Sequence, residues 1–288
     1  MLILLRNYNK YLTMKKTWFI TGISSGLGKA LAQSVIDKGD FVIGTFRNQY
    51  QTDAFNNEYK DKAKAFTLDV TNFSNVKEVI EKIKSQFDNL DVLVNNAGFG
   101  FAGSIEETNE QEARDVFEAN FFGSLHVTQN VLPIFRKQRS GHIIQISSHG
   151  GFKAFAGFGI YNASKFALEG FSEALAQEVS PLGIKVTIVE PGPFRTNFAG
   201  NSFKHASKII EDYNTTSGLF REKIKAIDGI QEGDPNKAAE AIIQITKSEF
   251  PPLRLPLGKT AIATLNSKIE SVANEIKEFK LLAESCTY

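Results

Sequence analysis

The chain of 288 residues is almost neutral, with 33 Lys and Arg against 32 Asp and Glu and a formal net charge of +1. The lack of a basic surplus argues against a nucleic-acid partner. The single cysteine, Cys286, excludes a disulfide framework and cysteine-based zinc or iron–sulfur sites. No apolar run approaches the ~20 residues that span a bilayer, so no membrane partner is expected.

Residues 1–14 are predicted to be an N-terminal tail. The apolar run at its start comes before the charged residues, whereas a secretory signal has its basic residues first. We therefore expect a cytoplasmic protein. A strand-like run follows Lys15 and Lys16, and residues 15–288 are predicted to form a single domain.

Short β-rich runs alternate with longer helical patterns from residue 17 to about residue 190. Repeated β-α units predict a parallel, doubly wound sheet, and right-handed crossovers place helices on both faces in three α/β/α layers. The predicted strands are residues 18–21, 41–45, 65–68, 92–95, 142–146 and 186–189. The predicted helices are residues 27–37, 74–87, 110–136 and 163–179.

The pattern changes after residue 190. Residues 193–232 mix glycine, asparagine, threonine and serine with phenylalanine and charge, and are predicted to form a substrate lid with one or two short helices. Asp234 and Pro235 predict the N-cap and first residue of a helix that ends near Lys247. Residues 253–257 are predicted as a last strand, and residues 259–280 as a C-terminal helix.

A glycine-rich segment follows the first predicted strand and opens the first predicted helix. It reads Thr-Gly-Ile-Ser-Ser-Gly-Leu-Gly at residues 21–28. Glycine permits a tight turn, and a helix N-terminus presents free N–H groups to a pyrophosphate. Its place in the first β-α unit, where such sheets bind dinucleotides, favours cofactor binding over a purely structural turn.

Arg47 follows the second predicted strand. NAD binding usually places an acidic residue near this point to hold the ribose 2′-OH, and residues 41–51 contain no acid. An arginine suits a 2′-phosphate, so NADP(H) is favoured over NAD(H). The alternative is that Arg47 is a solvent-exposed loop residue without a role in cofactor binding.

Tyr161 and Lys165 are four residues apart at the start of a helical stretch, which puts both side chains on one helix face. An ammonium beside a phenol lowers its pKa from about 10 and makes it a usable acid/base. The spacing alone is weak evidence, because Tyr11 and Lys15 share it. Only Tyr161 follows a strand that ends in serines, Ser147 and Ser148.

In their order and spacing, these features resemble the short-chain dehydrogenase/reductase family, in its branch with chains of about 250 residues. The resemblance covers roughly residues 15–200, and it implies a Rossmann-type fold. The residues that surround these motifs are similar to those of the 17β-hydroxysteroid-dehydrogenase-like subgroup. The matching motifs are residues 21–28, Leu68-Asp-Val70, Asn95-Asn-Ala-Gly98, Asn120, Ser148, Tyr161 with Lys165, and Pro191-Gly192 with Thr196.

The resemblance implies a role for each matching residue. Tyr161 exchanges a proton with the substrate oxygen, while Lys165 lowers the tyrosine pKa and holds the nicotinamide ribose. Ser148 orients the carbonyl, and Asn120 supports a proton-relay water. The predicted cofactor-binding residues are Gly22, Ile23, Ser24, Ser25, Gly26, Leu27, Gly28, Arg47, Asp69, Val70, Asn96, Ala97, Gly98, Tyr161, Lys165, Pro191, Gly192 and Thr196.

Phenylalanine is abundant, with 24 residues, and fourteen of them lie between Phe99 and Phe203. An AT-rich genome would account for the total, but three groups of these residues flank the predicted pocket. We therefore expect an apolar carbonyl substrate. The predicted substrate-binding residues are Ser148, Phe99, Phe155, Phe194 and Phe198.

The predicted function is an NADP(H)-dependent oxidoreductase that interconverts a ketone or aldehyde and an alcohol by hydride transfer. A catalytically weak cofactor-binding regulator or scaffold is one alternative, and another reaction of the same fold, such as epimerisation, is a second. The four histidines lack paired metal spacing, so no metal is expected. The family implies a homodimer or homotetramer paired through residues 110–136 and 163–179.

Overall fold

The computed structural model describes residues 15–198 and 203–288, so the predicted tail at residues 1–14 lies outside the described residues. The strands are β1 (Thr17–Ile20), β2 (Phe41–Phe46), β3 (Ala63–Thr67), β4 (Val92–Asn95), β5 (Gly100–Ala102), β6 (Gly141–Ile146), β7 (Ile184–Pro191), β8 (Phe203–His205) and β9 (Arg254–Leu257). The helices are α1 (Gly26–Asp37), α2 (Gln49–Tyr59), α3 (Phe73–Gln86), α4 (Glu110–Phe117), α5 (Gly123–Gln138), α6 (Gly159–Val179), α7 (Leu219–Ala226), α8 (Pro235–Ile245) and α9 (Lys259–Glu284).

Seven parallel strands form the central sheet in the order β3-β2-β1-β4-β6-β7-β9, and β5 pairs with β8 in a separate two-stranded sheet. The central strands are mainly apolar because helices cover both faces, with a few buried polar side chains such as Gln145 and Glu190. One core cluster packs α1 and α8 against one face, and a second packs α3, α5 and α6 against the other. This is the expected Rossmann-type α/β/α arrangement.

The strand order reverses between β1 and β4, because β2 lies on one side of β1 and β4 on the other. Parallel sheets bind ligands beyond the carboxyl ends of their strands at such a reversal. The fold therefore brings together the segments that follow β1, β4 and β6.

The predicted helix at residues 110–136 is interrupted in the structure. A π-helical turn at Glu118–Phe122 separates α4 from α5. Asn120, at its centre, bonds to the backbone of Phe99 instead of facing solvent. A side chain that bonds to a neighbouring segment can displace the regular helical ladder, as occurs in π-bulges near functional sites.

Three elements had no counterpart in the predicted set, namely α2 and the short strands β5 and β8. Thr52 is the one buried residue of α2. The sequence of this helix therefore lacks the apolar stripe by which a surface helix is predicted. The described residues of the predicted lid region form β8, a 3-10 turn (Glu211–Tyr213), a π-helical turn (Asn214–Gly218) and α7. None of the helices in the described ranges is both long and apolar enough to cross a membrane.

Candidate active site

A cavity of about 720 Å³ opens beyond the carboxyl ends of β1, β4, β6 and β7. Of the predicted site residues, it brings together Gly22, Ser24, Ser25, Gly26, Leu27, Arg47, Asp69, Val70, Asn96, Ala97, Gly98, Phe99, Ser148, Tyr161, Lys165, Pro191, Gly192, Phe194, Thr196 and Phe198. These residues are spread over some 180 positions of sequence, and the parallel sheet collects them at one edge.

The glycine-rich turn forms one wall. Gly22 and Gly26 have φ angles of 71° and 59°, in the left-handed region that favours glycine. A Cβ on Gly28 would lie 2.4 Å from the carbonyl oxygen of Gly22, so only glycine lets α1 approach the turn this closely. Ser25 caps α1 without a side-chain hydrogen bond, which leaves the first N–H groups of the helix available to an anion.

Asn96 holds this turn against β4. Its amide nitrogen donates to the carbonyl oxygens of Thr21 and Gly22 over 2.9 and 2.8 Å. The hydroxyl of Thr21 in turn accepts bonds from the backbone N–H groups of Asn96 and Ala97 at 3.0 and 3.1 Å. Thr45 completes the support by accepting from the N–H of Gly22 at 2.9 Å. The turn is therefore fixed by two neighbouring strands.

Arg47 and Asp69 lie at the outer part of the cavity. Arg47 is exposed immediately after β2, where its guanidinium is free to meet a ligand. The carboxylate of Asp69 accepts bonds from the backbone N–H and hydroxyl of Thr71, at 3.0 and 2.8 Å. Asp69 thus shapes a turn and lines the cavity at the same time.

Tyr161, Ser148 and Lys165 meet on the opposite wall. Tyr161 and Lys165 are both buried on α6, and Ser148 follows β6. The ammonium of Lys165 donates to the carbonyl oxygen of Ile146 over 2.8 Å and lies 5.9 Å from the centre of the Tyr161 ring. The ring of Phe158 stacks on Tyr161, with 4.1 Å between centroids.

Burial has the largest effect on the pKa values of Tyr161 and Lys165. It raises the pKa of Tyr161 to about 12, against the opposing effect of a hydrogen bond with Ser148. Burial lowers the pKa of Lys165 to about 8, although the charge of Glu169 works in the other direction. The ammonium of Lys165 bonds to the carbonyl oxygen of Ile146 and not to the phenol, and the lowering of the Tyr161 pKa by Lys165 stays a prediction.

Four predicted site residues do not line the cavity. Ile23 is buried and its side chain packs over Gly44, while Gly28 is covered by the turn. Asn120 is fully buried, where it bonds to the backbone N–H and carbonyl of Phe99 and to Ser164. Phe155 packs against His149, with ring centres 5.2 Å apart, and is not among the residues that line the cavity, so its substrate contact stays a prediction.

Asn120 still lies close to the wall that holds Tyr161 and Lys165. A Cβ on Gly98 would be 2.7 Å from the Asn120 side-chain oxygen and 3.9 Å from the Lys165 ammonium. The two polar groups therefore flank the same glycine. Asn120 positions the segment that follows β4 instead of touching the cavity directly.

Sequence reasoning missed several residues of the site. Thr45 and Phe158 line the cavity, and Phe158 covers Tyr161. The ring of Phe158 sits at the start of α6, but no periodicity in the sequence indicates which way it turns. A partly buried cluster of ionisable groups was also missed. It consists of Glu169, Glu173, Glu190 and Arg254, and the signal was a glutamate directly after the apolar run of β7.

The family model described as short chain dehydrogenase matches residues 16–207. The chain is 39% identical to a 3-ketodihydrosphingosine reductase from Bacteroides thetaiotaomicron, over 83% of this chain and 86% of that protein. It superposes on a short-chain dehydrogenase from Streptomyces avermitilis with a TM-score of 0.89 and 41% identity, covering 96% and 99% of the two chains. It superposes on ElxO with NADP bound with a TM-score of 0.72 and 27% identity, covering 87% and 100%.

The chain belongs to the short-chain dehydrogenase family. It is therefore an oxidoreductase with the nicotinamide-binding fold of that family, whose members act on small molecules.

Proposed function

We propose that this protein is an NADP(H)-dependent oxidoreductase that interconverts a ketone or aldehyde and an alcohol, with Tyr161 as the general acid/base. The observation that supports this most is the shared cavity, which has the glycine turn on one wall and Tyr161, Ser148 and Lys165 on the other. The similarity to ElxO, whose structure holds NADP, also supports the choice of cofactor.

The residues present fit a nicotinamide dinucleotide. The free N–H groups at the start of α1 suit the pyrophosphate, Arg47 suits a 2′-phosphate, and Gly22 and Gly26 leave room where a side chain would intrude. When bound, the cofactor supplies or accepts the hydride, while the protein orients and polarises.

In carbonyl reduction, Tyr161 donates its phenolic proton to the substrate oxygen, and Ser148 donates a second hydrogen bond to the same oxygen. The charged Lys165 favours the phenolate that results. The rings of Phe158 and Phe198 pack against the ring of Tyr161, which is 4% exposed. The phenol holds its proton at neutral pH, as donation to the substrate oxygen requires. The pKa of about 12 that burial produces makes it a weaker acid, an effect that the charge of Lys165 is proposed to offset.

An apolar substrate is favoured by the side chains around the catalytic wall. The apolar residues that line this part of the cavity are Phe99, Phe158, Phe194, Phe198, Ile224 and Ile227. A relative whose name describes reduction of a long-chain ketone agrees with this composition. Residues 193–232 are proposed to act as the substrate lid, and membership of the hydroxysteroid-dehydrogenase-like subgroup stays a prediction.

The first prediction concerns Tyr161. Tyr161→Phe removes the proton donor without changing the stacking ring, so we expect kcat to fall at least ~100-fold while NADPH affinity is unchanged. Turnover is followed at the nicotinamide absorbance with steroid-like, long-chain, aromatic and short polar carbonyls, and binding by NADPH fluorescence.

Tyr59→Phe, at a tyrosine that bonds to Gln33 away from the cavity, is the control and should retain full turnover. Near-normal turnover by the Tyr161→Phe protein would contradict the mechanism. A wild-type protein that binds NADPH but reduces no member of the panel would favour the regulator or scaffold. Preference for short polar substrates would contradict the apolar pocket.

A further inference from the structure

Helix α9 extends beyond the body of the protein. Its 26 residues make it about 39 Å long. Ala261 and Leu265, near its start, are buried, and Lys153 donates to the hydroxyl of Ser267. From residue 273 to the end of the helix every residue is exposed. The second half of α9 is therefore not packed on the described part of the chain.

The exposed half is not polar all round, as a solvated helix would be. Ile269, Ile276 and Phe279 are 55%, 64% and 55% exposed, and Val272 is half-buried. Together with Ile262 and Leu265, which lie nearer the body, they recur at alternating intervals of three and four residues. The positions a of this heptad are Ile262, Ile269 and Ile276, and the positions d are Leu265, Val272 and Phe279.

A heptad of this kind is the pattern by which one helix recognises another. Its seam is narrower than the stripe of a helix that lies on a globular core. A membrane surface fits less well, because interfacial helices are enriched in lysine and arginine. The helix carries four lysines, Lys259, Lys268, Lys277 and Lys280, balanced by four glutamates, Glu270, Glu275, Glu278 and Glu284.

We propose that this seam, the a and d positions between residues 269 and 283 of α9, pairs in parallel with the same helix of a second copy of the chain. Two-stranded parallel coils favour β-branched residues such as Ile269 and Ile276 at the a positions when leucine occupies d. Here the d positions hold Val272 and Phe279, so the charges beside the seam carry the choice of alignment. In that arrangement Glu275, at position g, faces Lys280 of the second copy, at position e, and the symmetry repeats the attraction. The antiparallel alignment of the same residues would place Glu275 against its own equivalent.

The contacts that Lys280 and Glu275 make within their own helix are weak enough to be replaced by contacts with a second copy. Lys280 lies 3.6 Å from Glu284, and both side chains are more than half exposed. Glu275 accepts a bond from the hydroxyl of Ser271 at 2.9 Å. The proposed contact is separate from α4, α5 and α6, through which the family is expected to assemble, and does not depend on the proposed catalytic function.

The first test measures molar mass by light scattering over a range of concentrations. Ile269→Lys/Ile276→Lys should remove one assembly step, so that the average mass falls about twofold where the wild type is assembled. Leu281→Lys, at an exposed apolar residue off the seam, is the matched control and should keep the wild-type mass. Equal masses for all three proteins would overturn the proposal.

The second test exchanges the charges. Glu275→Lys and Lys280→Glu should each weaken the same assembly step, and the double exchange should restore it. Failure of the double exchange to restore assembly would overturn the parallel pairing. Sedimentation with phosphatidylcholine/phosphatidylserine vesicles by the wild type, but not by Ile269→Lys/Ile276→Lys, would assign the seam to a lipid surface and also overturn it.

Discussion

Glycines leave the space that the aromatic rings of Phe203 and Phe194 occupy. A Cβ on Gly100 would meet the ring of Phe203 at 2.5 Å, and a Cβ on Gly233 would meet that of Phe194 at 2.6 Å. The sequence could predict Tyr161 and Ser148, because strand ends and helix periodicity place them. It could not predict that Phe155 turns towards His149, because ring orientation depends on packing across distant segments.

The second prediction, at Arg47, concerns cofactor choice. Arg47→Ala should weaken NADPH binding roughly tenfold or more, since hydrogen bonds to charged groups contribute about 1.5–3 kcal/mol. NADH, which lacks the 2′-phosphate, should bind almost as before. Dissociation constants are measured by titrating cofactor fluorescence, with Arg136→Ala as the control at an exposed arginine remote from the cavity. An unchanged NADPH/NADH ratio would show that Arg47 does not select the cofactor.

One buried ion pair joins the elements that cover the cavity. Glu107, between β5 and α4, is 1% exposed and accepts from Arg221 of α7 at 2.7 Å. It also accepts from the backbone N–H groups of Ser104 and Ile210. Burial would raise its pKa, but these bonds outweigh that effect and bring the pKa to about 2. Because Ile224 and Ile227 line the cavity, this pair holds its apolar wall.

The third prediction removes the charge that Glu107 faces. Arg221→Gln should lower the free energy of unfolding by about 3 kcal/mol at pH 7, because it leaves a buried carboxylate without its cation. The measurement is urea denaturation. Arg114→Gln, which breaks the exposed pair with Glu110, is the control and should cost less than ~1 kcal/mol.

The same pair predicts an acid dependence. Since the folded pKa of Glu107 lies below its ordinary value of 4.5, its contribution to stability is complete above pH 4.5 and lost as the pH falls towards 2. Glu107→Gln/Arg221→Gln should lose less stability over that interval than the wild type. Parallel acid profiles for the two proteins would contradict this account.

Helix boundaries illustrate what an element's own sequence can and cannot predict. The central strands and α1, α3, α6, α8 and α9 were predicted to within a few residues, because their apolar faces repeat along the chain. The interruption at Glu118–Phe122 was not, because its cause is a bond from Asn120 to a segment twenty residues earlier. Contacts between segments, unlike periodicity, leave no local pattern.

At the scale of the whole molecule, Arg254 links the last strand to the sheet and to α6. Its guanidinium lies 3.3 Å from Glu169 and from Glu190, and it bonds to Glu173. Glu190 is fully buried with no well-aligned hydrogen bond among the described residues. Burial and the charge of Glu169 raise its pKa to about 8, against the opposing charge of Arg254. The sheet thus contains a carboxyl group that is mainly protonated at neutral pH.

The fourth prediction follows from this carboxyl group. Because its folded pKa lies above the ordinary 4.5, the folded state holds the proton more firmly, and stability falls as the pH rises from about 4.5 to about 8. Glu190→Gln, which cannot ionise, should therefore gain stability relative to the wild type across this range. Each unit of pKa difference corresponds to about 1.4 kcal/mol.

Thermal unfolding from pH 5 to pH 9 measures the difference between the two proteins. Glu284→Gln, at an exposed residue, is the control because it removes the same formal charge. A stability difference that does not change with pH would show that Glu190 is ionised throughout.

The two edges of the central sheet bear on the protein's behaviour at high concentration. β9 is one edge, only four residues long, and it contains Pro256, which has no N–H to offer a new strand. β3, at the other edge, carries the exposed Lys64. Proline and lysine are the residues by which natural sheets discourage edge-to-edge aggregation. Backbone addition of a second copy to either edge of the central sheet is therefore disfavoured. Copies of this chain are expected to associate through their side-chain surfaces instead, which does not lead to fibrous or amorphous aggregates.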